Sequence, residues 1–417
     1  MPQRTPPDSL HLAFRSHRAS YPAWNGFSYS HHYSHDEPEQ QEAGFGRACA
    51  WLSPFRQAPA RRRRPVSAPK APVAPAAIPW DAKAQGDFVT CLLQDGKTLW
   101  LGTEDQGVWR YNPNDPAPWK QFTTADGLGD NEIYALARDH TGCIWAGTLS
   151  HGVSVFSGAS WRSYPVPDGP IGNRVFAIAC SPVDGDVWIA TDAGLSRYSL
   201  KTDQWNVYTR LDGLPSDQAQ ALAFNRAGAL FVGTQCDGIA IAGPADDYHA
   251  WSVVAGPEHM PAADSGAGLP SRMINCILAS QRSDDVYAGT PWGLARSEDS
   301  GKTWRFIRGA NWDAMVKGLW RGPAPVKTLQ PENWLLEDYI TSLEETENGL
   351  LVIGFRQAGD EVWDPAHDKC LTHGPADYVF ATQISAEHRL LIASYGSGLQ
   401  QAILPASLFP APTSAPR

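Results

Sequence analysis

The sequence has 417 residues and a formal net charge of −10, which argues against nucleic acid as the main partner. Its 17 tryptophans, 37 glycines and only 4 methionines favour strands joined by tight turns over helices. No run of 18 apolar residues is present, so the sequence predicts no membrane span.

The chain begins with residues 1–86, which are rich in His, Ser, Pro, Ala and Arg and lack sustained periodicity. We predict a disordered extension that ends in a Pro/Ala/Arg linker containing Arg61–Arg64. Residues 87–404 form the predicted folded domain, and residues 405–417 a disordered tail. As written, the N-terminus is not a secretory signal, so the default expectation is a cytoplasmic protein.

One strand-turn-strand pattern recurs seven times within the folded domain. Its reference position, the first residue of a Gly-Thr pair or its equivalent, is occupied by Gly102, Gly147, Ala190, Gly233, Gly289, Gly354 and Ala393. The commonest interval is 43 residues, which is long enough for four short strands. Apolar residues alternate with period 2, so strands are favoured over helical repeats. The sequence therefore predicts an all-β fold, a seven-bladed β-propeller of four-stranded antiparallel blades.

Two columns of the alignment support this prediction. The third position of each innermost strand holds a small residue: Cys91, Ala135, Ala177, Ala221, Cys276, Ser342 and Ala381. We expect Cys91 and Cys276 to be buried and unreactive. The aromatic column (Trp100, Trp145, Trp188, Phe231 and Tyr287) should fill space between neighbouring blades. The number of cysteines is odd and no two form a Cys-x-x-Cys pair, so the sequence predicts no disulfide framework and no zinc site. We also expect no cofactor.

The repeat contains Asp126-Gly127-Leu128, Asp139, Gly142, Trp145, Gly147-Thr148 and Gly152-Val153, and much of this set returns from Asp212 to Ile239. This pattern resembles the two-component-regulator propeller repeat over roughly three quarters of the chain. The resemblance implies a sensor-type propeller, often the extracytoplasmic part of a hybrid histidine kinase, that binds ligands such as glycans. It also makes a periplasmic or extracellular location the alternative to the cytoplasm. We expect neither a kinase nor a receiver domain in this chain.

A second, shorter pattern lies in the fifth repeat. Ser297–Trp304 resembles the Asp-box of sialidase-like propellers. The resemblance implies a structural hairpin between the third and fourth strands of blade 5, with its aspartate bonded to turn amides and Trp304 packed inward.

In a propeller, the loops between blades and the turns between the second and third strands lie on one face. We call this face the loop face. Polar and aromatic groups that converge there are candidate ligand contacts: Asn131, Glu132, His151, Asn173, Arg174, Asp217, Arg272, Trp292, Tyr339 and Tyr378. The alternative is that its Asn and Asp side chains hold turns.

Two long intervals place insertions at residues 243–270 and 308–337, both between blades. The second contains Trp312, Trp320 and Trp334, which could stack on a sugar ring or a protein partner. Alternatively, these tryptophans pack onto the propeller.

The favoured function is a non-catalytic propeller that binds a small molecule, a glycan or a protein partner. Motifs of serine hydrolases, zinc proteases and nucleotide-binding loops are missing from the sequence. Two alternatives stay open: a protein-interaction scaffold, and a propeller enzyme of lyase or glycoside hydrolase type with its site at the tunnel mouth. For the enzyme, His151 with Glu132 is the pair to examine first.

Overall fold

The computed structural model of the protein describes residues 78–79, 85–86, 88–312, 326–385 and 388–409. They form a seven-bladed β-propeller of antiparallel blades, which confirms the predicted fold. Each innermost strand contacts that of the next blade, and the seventh contacts the first, so the ring is closed. Within these ranges, no helix has the length and apolarity needed to span a bilayer.

Apart from one extra strand in blade 5, the strands follow the predicted order, from the innermost strand of each blade outward. Grouped by blade, they are β1 (Val89–Asp95), β2 (Thr98–Thr103), β3 (Val108–Tyr111), β4 (Trp119–Phe122); β5 (Ile133–Arg138), β6 (Ile144–Thr148), β7 (Val153–Phe156), β8 (Trp161–Tyr164); β9 (Val175–Cys180), β10 (Val187–Thr191), β11 (Gly194–Ser199), β12 (Gln204–Tyr208); β13 (Ala219–Phe224), β14 (Leu230–Thr234), β15 (Ile239–Ala242), β16 (Ser252–Val254); β17 (Ser265–Ala267), β18 (Cys276–Ala279), β19 (Val286–Thr290), β20 (Gly293–Ser297), β21 (Arg305–Ile307); β22 (Ile340–Glu345), β23 (Leu351–Phe355), β24 (Asp360–Asp364), β25 (Lys369–His373); β26 (Val379–Ile384), β27 (Arg389–Ser394), β28 (Gly398–Ile403). Short 3-10 turns span Thr124–Asp126, Arg210–Asp212, Pro244–Asp246, Pro331–Asn333 and Ala406–Leu408.

Two blades depart from the four-strand pattern. In blade 5, β17 comes from the first insertion and pairs with β21 as a fifth, outermost strand. Blade 7 has three strands within the described residues. Beside it, the side-chain amide of Gln401 exchanges two hydrogen bonds with the backbone of Ile78, at 2.9 and 2.7 Å. Ile78 also packs against the apolar cluster shared by blades 1 and 7, so the described residues before β1 contact both ends of the ring.

The glycine of the Gly-Thr pair lies where adjacent blades touch. A Cβ on Gly147 would lie 2.4 Å from Cγ1 of Val175, which begins the next blade, and 3.2 Å from the small residue Ala135. Gly102 shows the same crowding, since a Cβ there would lie 2.4 Å from Cys91 Sγ. The small-residue column and the glycine column therefore serve one close contact between blades.

The threonine of the pair holds the turn that follows it. Thr148 Oγ1 donates to the carbonyl oxygen of Gly152 at 2.9 Å and accepts a hydrogen bond from the His151 N–H at 2.9 Å. Gly152 has a φ of +66°, and a Cβ there would lie 2.4 Å from the carbonyl oxygen of Tyr164. The turn thus requires glycine for its backbone conformation and for space.

The remaining parts of the repeat also have structural partners. Asp139 is buried, accepts hydrogen bonds from the Thr141 and Cys143 backbone, and accepts the Trp145 indole N–H at 2.8 Å. The five aromatic side chains of the predicted column are all buried at 4% exposure or less, which confirms their place between blades. The Thr123–Asp126 capping box shapes the loop between blades 1 and 2.

Blades 1 and 5 contain buried thiols, and blade 5 also contains a hydrogen-bonded hairpin. Burial raises the pKa of Cys91 and of Cys276 to about 12, so neither thiol ionises readily near neutral pH. In the β20–β21 hairpin, Asp299 accepts hydrogen bonds from the Thr303 N–H and hydroxyl at 2.8 and 2.7 Å. Trp304 is buried in the same hairpin.

Two buried ionisable groups matter for stability. Residue Arg197 is 8% exposed, and its guanidinium bonds Asp186 at 2.7 Å and Asp184 at 2.9 Å and lies 5.4 Å from the Trp188 ring centroid. In blade 6, Glu361 is fully buried, and its carboxyl group has no well-aligned hydrogen-bond partner among the described residues. Burial raises the pKa of Glu361 to about 8, so this carboxyl group is largely protonated at neutral pH.

Candidate functional site

The rim of the central channel on the loop face is built alike in several blades. The N–H of a turn glycine donates to a loop carbonyl before the innermost strand of the next blade, as from Gly107 to Asn131 and from Gly152 to Asn173, both at 2.9 Å. Leu149 N–H donates to the Glu132 carbonyl at 3.0 Å. The side chains around this rim are therefore presented from a hydrogen-bonded backbone.

Three predicted site residues use their side chains to close loops. The Oδ1 atoms of Asn131, Asn173 and Asp217 each accept a hydrogen bond from the backbone N–H seven residues earlier, at 3.0, 3.0 and 2.8 Å. This is the turn-holding role considered as the alternative. A ligand contact by these three residues stays a prediction.

An aromatic cluster lies where the last blade meets the first. It consists of Phe88, Tyr378, Phe380 and Tyr395, all half-buried. The ring centroids of Phe88 and Tyr395 are 4.4 Å apart, those of Tyr378 and Phe380 4.9 Å, and those of Tyr378 and Tyr395 5.9 Å. Among these, Tyr378 was a predicted site residue, whereas Phe88 and Phe380 were not.

Blade 6 extends this cluster. The Arg356 guanidinium lies 5.0 Å from the centroid of the predicted site residue Tyr339. Burial raises the pKa of Tyr378, and the neighbouring Tyr339 phenol adds to this effect while Arg356 opposes it. Tyr339 and Tyr378 are therefore close enough for the charge of one to affect the ionisation of the other.

Carboxyl groups dominate the neighbouring part of the rim, in blades 1 and 2. We call Glu104, Asp105, Asp130 and Glu132 the acidic rim. Burial raises the pKa of Glu132, the charges of Asp130 and Asp105 raise it further, and the Arg174 guanidinium lowers it. Glu132 and Arg174, both predicted site residues, are therefore close enough to interact.

Tyr134 connects the acidic rim to the aromatic cluster. Burial raises its pKa to about 12, and the charges of Glu104 and Glu132 contribute to that rise. The Tyr378 phenol acts on Tyr134 in the same direction. Nothing in the sequence pattern singles out Tyr134, because it follows the first residue of an innermost strand, where a core residue is equally expected.

The acidic neighbour of His151 is Asp130, with Nδ1 and Oδ2 3.8 Å apart. Ser150 Oγ lies 2.8 Å from His151 Nδ1 and donates its proton to Asp130 Oδ2. A histidine that activates a serine must accept that serine's proton. With its proton in the hydrogen bond to Asp130, Ser150 does not donate to His151 in this arrangement.

The two insertions form one folded unit beside blade 5. Asp264 of the first accepts hydrogen bonds from the Thr328 and Leu329 N–H groups of the second at 2.9 and 3.0 Å. Arg308 and Asp338 form a fully buried bidentate ion pair at 2.9 and 2.6 Å. These contacts order the described part of the unit.

Some of the predicted tryptophans belong to this unit, and Trp292 lies beside it in the turn between β19 and β20. Trp312 is fully buried with Met260, and half-buried Trp292 and Trp334 pack against them. Stacking of Trp312 on a ligand is therefore not possible in this structure, and the packing alternative describes it. Trp320 lies outside the described residues.

The other predicted residue near the insertions is Arg272. Its guanidinium bonds Glu258 at 3.0 Å and the Gly256 carbonyl at 3.3 Å, and thereby ties the first insertion to the start of β18. Across the described ranges, no three His, Cys, Asp or Glu side chains converge as a metal site would require.

One part of the chain matches a known sequence family. Residues 127–150 match the model of the two component regulator propeller. This confirms the resemblance for the repeat that contains Asp139, Trp145 and the Gly147-Thr148 pair. No protein of curated function matches the sequence.

Solved structures with a similar fold include two crystal structures of the extracellular domain of BT4673 from B. thetaiotaomicron. One is described as a hybrid two component system (19% identity, TM-score 0.53) and the other as a one component system (20%, 0.53). Each similarity covers 76% of this chain and 38% of the other. This chain therefore spans less than half of those domains, and the likeness shows a shared fold.

Proposed function

We propose that this protein is a non-catalytic, sensor-like propeller that binds a ligand at the aromatic cluster. The observation that carries the proposal is the convergence of Phe88, Tyr378, Phe380 and Tyr395 at the channel mouth, with every ring only half-buried. Phe380 packs in part against the apolar cluster shared by blades 1 and 7, while all four side chains stay partly accessible. Rings that keep one surface open suit a ligand with a flat apolar face, such as a sugar or an aromatic group.

The scaffold supports this role. The rim backbone is hydrogen-bonded between the turns and the loops, so a ligand would meet side chains already held in place. The resemblance to extracellular domains of two component systems favours sensing as the purpose of binding. That purpose would place the protein outside the cytoplasm.

Binding should be tested with a panel of oligosaccharides and peptides, by isothermal titration calorimetry. For any ligand found, Tyr378→Ala and Tyr395→Ala should each weaken binding by about tenfold, since truncating a central aromatic contact costs about 1–2 kcal/mol. Tyr111→Ala is the matched control, because Tyr111 is also half-buried and its ring lies 4.8 Å from Trp119, within the outer part of blade 1.

Unchanged affinity in both variants would refute the site. A peptide that binds while every saccharide fails would favour the interaction scaffold instead. Turnover of any panel member would favour the enzyme.

A further inference from the structure

We propose that Phe176 and Gln220, two residues at the mouth of the central channel, determine which ligand the site accepts. This inference rests on the proposed function and extends its site from the aromatic cluster into the channel. The observation behind it is that each innermost strand has one residue without a pairing partner, whose side chain opens to the channel.

One residue of each innermost strand is left out of the pairing with the second strand. In blade 2, Ile133 and Ala135 both pair with β6, and the register shift between them leaves out Tyr134. The same shift leaves out one residue in each of five other blades: Thr90, Phe176, Gln220, Thr341 and Phe380. In blade 5 the corresponding residue is Asn275, which directly precedes β18. A shift of this kind turns the side chain out of the regular alternation of the strand.

The flanking residues fill the space between the blades, whereas the residue left out does not. In β5, Ile133 and Leu136 pack into the apolar cluster between blades 1 and 2. In β9, Val175 packs into the cluster between blades 2 and 3. Tyr134 and Phe176 belong to neither cluster and are half-buried. Because neighbouring blades cover both faces of the strand and the second strand covers its outer edge, the accessible part of these rings opens to the channel. We therefore call the residues left out of the pairing the channel residues.

The channel residues form two arcs. The aromatic arc lies in blades 7, 2 and 3 and consists of Phe380, Tyr134 and Phe176. The amide arc lies in blades 4 and 5 and consists of Gln220 and Asn275. All of these side chains are half-buried and none carries a charge, so the part of a ligand that enters the mouth should be uncharged. The arcs meet where β9, which contains Phe176, contacts β13, which contains Gln220.

Hydrogen bonds fix other parts of this ring. Asn275 Nδ2 donates to the Ile340 carbonyl of the next blade at 2.7 Å. Thr90 Oγ1 donates to the Ile133 carbonyl of the next blade in the same way. Thr90 is buried, and the Thr341 Oγ1 atom is shielded from solvent. The surface that a ligand meets is therefore formed by the aromatic arc and the amide arc.

The aromatic arc continues the aromatic cluster. Phe380 belongs to both, and its ring centroid lies 4.9 Å from that of Tyr378. The Tyr378 phenol also contributes to the raised pKa of Tyr134, so these two side chains lie close to each other. A ligand seated on the aromatic cluster would reach the channel beside Tyr134 and meet Phe176 and Gln220 in the next two blades.

Phe176 and Gln220 together select a ring that has an apolar face and a polar edge. The apolar face packs against the Phe176 ring. Hydroxyl groups at the edge exchange hydrogen bonds with the Gln220 amide, which both donates and accepts. A pyranose ring has both features. A purely aromatic group has only the first, and the Gln220 amide would lose hydrogen bonds to water without replacement.

The test uses three uncharged β-linked trisaccharides as probes: cellotriose, laminaritriose and a β-1,4-linked galactose trimer. Isothermal titration calorimetry should show binding of at least one to the wild-type protein. For that probe, Phe176→Leu should weaken binding about threefold to tenfold, because leucine has no aromatic face. Gln220→Leu should weaken it by a similar factor, because it keeps a similar size and removes the hydrogen-bonding groups.

Phe409→Leu and Gln204→Leu are the matched controls. Phe409 is also half-buried, but its ring lies 3.8 Å from that of His388, in the hairpin between β26 and β27 on the face opposite the loop face. Gln204 is exposed on β12, the outermost strand of blade 3. Both controls should bind the probe like the wild-type protein. Melting temperatures of all four variants show whether a loss of affinity reflects unfolding.

Unchanged affinity in folded Phe176→Leu or in folded Gln220→Leu overturns the inference. An equal loss of affinity in the controls overturns it too, as does the failure of all three trisaccharides to bind. Tyr378→Ala separates this inference from the proposed function. If Tyr378→Ala weakens binding while Phe176→Leu and Gln220→Leu do not, the aromatic cluster remains the site and only the inference fails. If none of the three variants changes the affinity, both fail.

Discussion

Replacement of Gly147 by alanine tests the account of how adjacent blades fit. The new Cβ would lie 2.4 Å from Val175 Cγ1 and 3.0 Å from Val175 Cβ, and Val175 is fully buried. Overpacking of this kind costs about 1–3 kcal/mol. The Gly147 backbone has no positive φ, so the expected loss comes from the steric contact.

The next interface shows how the clash can be relieved. There, Ala190 occupies the glycine position, and the facing residue is Ala219, which lacks the methyl groups that would collide. Val175→Ala alone should cost about 2 kcal/mol, because it leaves a cavity. In the double variant with Gly147→Ala, the two changes compensate, and the total loss should be about 1–2 kcal/mol less than the sum.

The assay is urea unfolding followed by tryptophan fluorescence, with the slope compared among variants to confirm the same transition. Gly243→Ala is the control, since Gly243 has a φ of −131° and nothing lies within 4 Å of the Cβ position. A Gly147→Ala variant as stable as Gly243→Ala, or strictly additive losses in the double variant, would refute the reasoning.

Other predictions concern charge and loop closure. Burial raises the pKa of Glu361 to about 8, so the folded state holds the carboxyl proton more tightly than the unfolded state does. The protonated carboxyl group therefore contributes its full stabilisation at acidic pH, and this contribution is lost as the pH rises toward about 8. Glu361→Gln should flatten the fall in melting temperature between about pH 5 and pH 8, and an unchanged slope would contradict this. Arg197→Ala should lower the free energy of unfolding by about 3–5 kcal/mol, since buried Asp186 loses its partner. Arg305→Ala, which breaks a more exposed pair, should cost less than about 1 kcal/mol by the same urea titration. Asn131→Ala should cost about 1–2 kcal/mol through loss of its loop-closing hydrogen bond. If its melting temperature matches that of wild type, the loop does not depend on this bond.

The fold was predictable because each residue of the repeat has a local structural role, either in packing or in hydrogen bonding. Gly147 leaves space for the next blade, Thr148 holds a turn, and Asp139 binds the backbone and the Trp145 indole. The same structural roles recur in each blade, so the residues that fill them recur at a regular interval in the sequence. For the same reason, the repeat specifies the architecture and carries no information about a ligand.

The candidate site was only partly predictable. Tyr339 and Tyr378 were predicted because they precede innermost strands, whereas Phe380 was not, because it lies inside one. A register shift between Val379 and Ala381 interrupts the pairing at that point, as the equivalent shift does in five other blades, and alternation alone does not reveal it. Trp312 was predicted as a possible ligand contact, whereas in the structure the insertions fold on each other through Asp264 and Trp312 is buried. Whether such a side chain is exposed or buried depends on contacts between segments that are distant in the sequence.

The position of the aromatic cluster follows from closure of the ring. Phe88 precedes the first blade, whereas Tyr378 and Tyr395 belong to the seventh, and an isolated antiparallel bridge joins Phe88 to Tyr395. Within blade 7, Tyr395 N–H donates to the Tyr378 carbonyl at 3.0 Å, as Leu149 N–H does to the Glu132 carbonyl in blade 2, and the bridge to Phe88 adds the contact between the first and last blades. Unlike the repeated contacts elsewhere, this junction occurs once in the molecule. Residues there are therefore freer to differ from the repeat, and a ligand that binds them would bridge the two ends of the propeller and stabilise its closure.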